Sequence, residues 1–190
     1  MKFFFTTFAS TLALISTLSW SASKNYLKMN VSDKERCFIT NEIPDQSIGK
    51  FPTRGNPNLM QEQQVNVCMP LKPAKGNIPI PIQGTIGIAM NGVQFRPNTA
   101  GFWDPRVKQG HSHTGDKNWN LDIFGAPGKL SLDFNNGHVG RGGLYHYHGI
   151  AKHLLSISGS SLVGHAGDGF EIHYHQRTKK LGDAADSLPI

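Results

Sequence analysis

Residues 141–150 read RGGLYHYHGI, and the alternation Tyr145-His146-Tyr147-His148 sets two imidazoles two residues apart. On a β-strand, residues i and i+2 share a face, so His146 and His148 project together and Tyr145 and Tyr147 project the other way. Neutral imidazole ligates transition metals and, near neutral pH, donates or accepts a proton. A pair on one strand needs only a third and a fourth ligand from neighbouring segments to complete a tetrahedral or facial site. All nine histidines fall between residues 111 and 175, and two more H-x-H pairs, His111/His113 and His173/His175, repeat the format. A hydrogen-bonded surface role is the simpler expectation for those two. The 146/148 pair is set apart by Gly142, Gly143 and Gly149, which permit close backbone approach and leave the rings reachable.

Candidates for the rest of the site lie nearby in the chain. Asp133 and His138 flank Asn136-Gly137, so a hairpin there carries both toward the YHYH strand. The expected metal ligands are therefore His138, His146, His148 and Asp133. Tyr145 and Tyr147 are expected behind the ligands, rings in the core and hydroxyls bonded to partners. Asp168 sits between glycines in GHAGDGFEIHY. There it is either an ordinary turn aspartate or a ligand, an imidazole-orienting group or a base, with His146 as its catalytic partner. A nitrogen-rich set without sulfur suits zinc or copper, and one with a carboxylate also suits ferrous iron or manganese.

The elements that must position these residues read as β nearly throughout from residue 84. GTIGIAMNGVQF places Asn91-Gly92 between alternating hydrophobics, a strong hairpin signal. Leu130-Leu132-Phe134 and Phe170-Ile172-Tyr174 alternate in the same way, and VNVCM predicts a strand over 65–69. Prolines 70, 73, 79 and 81 keep the following stretch extended and out of a central ladder. Helical periodicity is confined to 151–157. The expected fold is mostly β, one antiparallel sandwich or distorted barrel with long loops and little helix. Residues 24–64 form a polar, turn-rich arm ahead of a β domain over 65–190.

The N-terminus, MKFFFTTFASTLALISTLSWSAS, has one lysine and an apolar run shorter than the roughly 20 residues of a membrane span. A signal peptide over residues 1–23 is expected, with cleavage after Ser23 first and after Ser21 or Ala22 second. That places the mature chain outside the cell or in the periplasm, with no transmembrane segment. The only cysteines, Cys37 and Cys68, are then most economically read as one disulfide tying the arm. Formal charge is +6 and the basic residues are scattered, apart from Arg177, Lys179 and Lys180. Nucleic-acid binders concentrate their charge on one face, so no nucleic-acid partner is expected.

LDFNNGHVGRGGLYHYHGI, followed by LVGHAGDGFEI and preceded by GIAMNGVQFRP, resembles the YHYH domain family, exported proteins named after the tetrapeptide. The resemblance runs over roughly residues 84–175. It implies that Asp133, Gly137, His138, Tyr145, His146, Tyr147, His148, Asp168, Gly169 and Phe170 belong to the family pattern, without implying an activity. Asn135 stands where relatives often carry a cysteine, so no thiolate is available there. Glu171-Ile172-His173-Tyr174 replaces the usual Pro-Ile-Tyr-Gly, which makes His173 and His175 peculiar to this chain.

Three function classes follow. The first is an exported metal-binding domain. The second is an envelope hydrolase or lyase in which a metal or a His–Asp pair activates water; no nucleophile elbow or H-E-x-x-H accompanies the histidines, so no substrate is assigned. The third is a glycan or envelope binding module using Trp103, Trp119 and Phe124 in a long polar loop.

Overall fold

The computed structural model describes residues 23–78, 80, 84–125, 131–157 and 159–175. The segment expected to be a signal peptide, apart from Ser23, and the Arg177/Lys179/Lys180 cluster lie outside them. In chain order the elements are β1 (Leu27–Val31), β2 (Glu35–Thr40), β3 (Val65–Pro70), β4 (Gly87–Ala89), β5 (Gln94–Phe95), β6 (Phe102–Trp103), β7 (His111–Ser112), β8 (Asp116–Asn120), β9 (Gly137–Val139), β10 (Tyr145–Tyr147), α1 (Lys152–Ile157), β11 (Leu162–Ala166) and β12 (Glu171–His173). They form three sheets, ordered β1-β2-β3, β12-β11-β4-β5-β10-β9 and β7-β6-β8. The protein is thus mostly β, with several sheets and, among the described residues, no closed barrel.

The stretch expected to be a polar arm supplies two strands. β1 and β2 pair antiparallel, and β2 pairs with β3 so that Cys37 faces Cys68 directly, where the two form a disulfide. Polar composition concealed these strands because β1 keeps most of its side chains exposed. β3 ends at Pro70 on the edge of its sheet, the position that tolerates a missing N–H. The Asn91-Gly92 hairpin forms as expected, joining β4 to β5 with Gly92 at φ 86°. The strand expected over Leu130–Phe134 does not form. Leu130 lies outside the described residues, and 131–134 run without strand pairing into a turn. β10 pairs instead with β9, which follows Asn136. On its other side β10 pairs parallel with β5, a connection of about fifty residues that gives ample length for a crossover.

Register across the six-stranded sheet aligns His138, His146, Gln94, Ile88, His165 and Glu171 in one row. Neighbours in register share a face, so this row is a band of polar groups interrupted by one apolar residue. The three-stranded sheet covers it near Ile88, where Phe38 and Met69 pack and the Phe38 and His165 rings lie 5.6 Å apart. The opposite face is apolar. Tyr145, Tyr147, Phe95, Val139, Ala89 and Val163 pack there with Leu154 of α1 and with Ile48, Phe51 and Met60. Both tyrosines are fully buried, each contributing about 1.5–3 kcal/mol by removal from water. One strand therefore serves the core with one face and a histidine cluster with the other.

Candidate metal centre

Asp133 builds the turn that delivers His138. Its Oδ1 accepts the N–H groups of Asn135 (2.8 Å) and Gly137 (3.1 Å), and its Oδ2 accepts the N–H of Gly49 (2.9 Å) and the hydroxyl of Tyr145 (2.8 Å). Asn136 takes the left-handed conformation at φ 59°, which asparagine tolerates better than most residues. Its carbonyl receives the N–H of His148 at 2.8 Å, locking the turn onto the strand that carries the other two imidazoles. Gly137 has no alternative, since a Cβ there would stand 2.4 Å from the Tyr145 hydroxyl.

The three imidazoles meet edge to edge. His146 Nε2 lies 3.1 Å from His148 Nε2, which lies 3.2 Å from His138 Nε2, and the three ring centroids are 4.8–4.9 Å apart. The far nitrogens of two rings face backbone carbonyls: His146 Nδ1 is 3.2 Å from the oxygen of Leu144, and His148 Nδ1 is 3.2 Å from that of Pro97. A carbonyl oxygen only accepts, so each Nδ1 carries the proton and each Nε2 turns a lone pair inward. Lone pairs facing each other at 3.1 Å make no hydrogen bond. A shared cation would resolve their repulsion. Nitrogens bonded to zinc at about 2.0–2.1 Å in a tetrahedron sit roughly 3.3–3.4 Å apart, close to the spacing found.

Burial keeps His146 and His148 neutral and ready to ligate. His146 and His148 are each 6% exposed, while His138 is half-buried and forms the open side. Burial, followed by the charge of the neighbouring His138, pushes His146 down to about 3. Burial likewise pushes His148 down to about 4, against the opposing bond to Pro97.

His138, His146 and His148 thus come together, with ligand atoms within 4.8 Å of one another. Asp133 is not in this group, because four donors occupy its carboxylate. Asp168 is exposed in the turn between β11 and β12, where Gly169 lies against Pro70 and Pro73. β11 is three strands from β10, roughly 14 Å at usual spacing, so Asp168 and His146 do not form a pair. Tyr145 and Tyr147 lie on the other face from the imidazoles and do not bond to them; Tyr147 accepts from Gln46 (2.6 Å) and Asn91 (3.0 Å). The Tyr145 hydroxyl is raised by burial and by Asp133, and that of Tyr147 is raised by burial to about 12. His111 sits on β7 of the small sheet, and His173 bonds Glu171 at 2.8 Å and stacks on His175. Trp103 and Trp119 are exposed and line a recess of about 440 Å³ with His111 and Asp122, whereas Phe124 packs against Gly149. The carbonyls of Leu144 and Pro97 had no signal in the sequence, since no residue type announces where its backbone oxygen points.

A β domain with two packed sheets, a disulfide and three imidazoles converging from a Gly-His turn and a Tyr-His-Tyr-His strand is the class this geometry defines. The family model described as YHYH protein matches residues 66–188, and the chain belongs to that family. No curated protein and no solved structure matches it.

Proposed function

We propose that this protein is an exported metal-binding domain whose His138, His146 and His148 ligate one divalent transition metal, zinc or copper. The observation that carries this is the convergence of three Nε2 atoms while carbonyls hold two of the Nδ1 atoms. Three protein ligands and a partly exposed His138 leave a position free for water or another small ligand, the arrangement of catalytic rather than structural zinc sites. That is compatible with the hydrolase alternative, for which no substrate is assigned. Export is supported by the N-terminal apolar run and by the disulfide, a bond that persists in oxidising compartments. In this reading the disulfide staples β2 to β3 and takes no part in the chemistry.

Elemental analysis and calorimetric titration of the mature protein test the metal. About one equivalent is expected, and H146A and H148A should each weaken binding by a hundredfold or more (about 2.7 kcal/mol). Retention of less than a tenth of an equivalent after exposure to zinc and copper, unchanged by either substitution, would remove the reading. Glycan binding is favoured by the Trp103/Trp119 recess alone. Glycan retention that survives chelation and is lost in W119A would support that second role.

A further inference from the structure

Arg96 is a cation on the histidine face. In the β5–β10 pairing Gln94 stands opposite His146 and Phe95 opposite Tyr147, and the Arg96 N–H donates to the Tyr147 carbonyl at 2.8 Å. Phe95 points with Tyr147 into the apolar core. By alternation Gln94 and Arg96 belong to the face of His146 and His148. Pro97, next in the chain, supplies the carbonyl that holds His148. Arg96 is half-buried as a residue, its Nη2 lies near Gly84, and among the described residues its guanidinium makes no hydrogen bond or ion pair. A partly buried charge without a partner is unusual in folded proteins and calls for an explanation.

The surroundings do not neutralise it. The positive charge of Arg96 is felt at both His146 and His148. The acid that senses it, Glu42, is 1% exposed, and its carboxyl is raised by burial to about 7. Glu42 already accepts from Gln94 Nε2 at 2.6 Å, while its other oxygen is buried without a partner. Glu42 is therefore only partly ionised near neutral pH and compensates the guanidinium incompletely. Three neutral imidazoles likewise leave a divalent metal with its whole charge, and no carboxylate of the described residues joins the triad.

We propose that the open position beside the triad takes a small oxyanion, a carboxylate or a phosphate-type group, bound jointly by the metal and the Arg96 guanidinium. This rests on the metal reading above. Guanidinium matches such groups with two parallel N–H donors, and in a partly buried site its attraction is screened less than at the surface.

The test uses the mature protein loaded with cobalt(II), whose visible absorption follows changes in coordination. Acetate and inorganic phosphate are titrated separately at constant ionic strength into the parent and into R96Q. Saturable spectral change is expected in the parent, with affinity weakened at least about tenfold in R96Q while cobalt binding is kept or tightened. The tighter of the two anions names the source. Equal anion affinity in both proteins, or no response in the parent, overturns the proposal while leaving the metal site standing. Absence of cobalt binding overturns both. Should R96Q not fold, phenylglyoxal labelling of Arg96 in the parent replaces it. Protection by the anion only when cobalt is present supports the proposal, and equal labelling with and without the anion overturns it.

Discussion

Asp133 and the imidazoles divide the work that the sequence assigned to one ligand set. Residue types and spacing pointed to His146 and His148 because i, i+2 spacing on a strand needs no tertiary information. His138 followed from the hairpin geometry of Asn136-Gly137. Asp133 was legible as near the site and illegible in its role, because whether a carboxylate meets a metal depends on how many donors reach it first. Here four do. Asp133→Ala leaves the N–H groups of Gly49, Asn135 and Gly137 and the Tyr145 hydroxyl without that acceptor. A loss of about 2–4 kcal/mol in urea unfolding is expected. Metal affinity should fall as well, through displacement of His138, with Asp133→Asn recovering part of both by keeping one carbonyl acceptor. Undiminished stability with lost metal would instead make Asp133 a ligand.

At the scale of elements, local signals succeeded where a turn and its flanking strands are contiguous. The β4–β5 hairpin was visible for that reason, as was α1, where the brief periodicity at 151–157 becomes Lys152–Ile157. Pairings between distant segments were not visible. The parallel β5–β10 contact joins residues about fifty apart, and no local pattern encodes which strand a half-polar segment will choose. The same holds for β1 and β2, whose burial comes almost wholly from Phe38 and Thr40. The β9–β10 hairpin has a single steric requirement that can be tested. At Gly137 an added methyl would meet the Tyr145 Oη at 2.4 Å and Cζ at 2.6 Å, with the His146 carbonyl at 3.1 Å. Tyr145 is fully buried and cannot swing away. Gly137→Ala should therefore cost about 2–4 kcal/mol and part β9 from β10, seen as a lower thermal midpoint together with loss of metal uptake. At Gly142, where nothing lies within 4 Å and only φ 78° opposes a side chain, alanine should cost about 1 kcal/mol and leave the metal in place. Equal effects at both positions would mean that the close approach at Gly137 is not what holds the hairpin.

Across the whole molecule, buried groups that share the histidine face of the six-stranded sheet, Glu42 through its bond to Gln94 and the two histidines, answer oppositely to pH. Glu42 has its carboxyl raised by burial from 4.5 to about 7. Between those values the folded chain keeps a proton that the unfolded chain has released. Its contribution to stability is therefore complete below about pH 4.5 and is lost as pH rises to about 7. His146 and His148 run the other way in the metal-free protein. Their folded values of about 3 and about 4 lie below the ordinary 6.5 of the unfolded chain, so their contribution is complete above pH 6.5 and is lost as pH falls toward 4 and below. Two histidines outweigh one carboxyl, so these groups together favour a stability maximum near pH 6.5. Glu42→Gln imitates the protonated acid, keeps an acceptor for Gln94 and cannot ionise. Urea unfolding of chelator-treated parent and variant from pH 5 to pH 8 isolates this one group, because the histidines titrate alike in both. The variant should gain on the parent by about 3 kcal/mol over that range, since a shift of about 2.5 units carries about 1.4 kcal/mol per unit. The gain should be spread between pH 4.5 and 7 and flat above. Parallel curves for the two proteins would mean that Glu42 ionises in place, and the incompletely compensated charge of Arg96 would then have its partner.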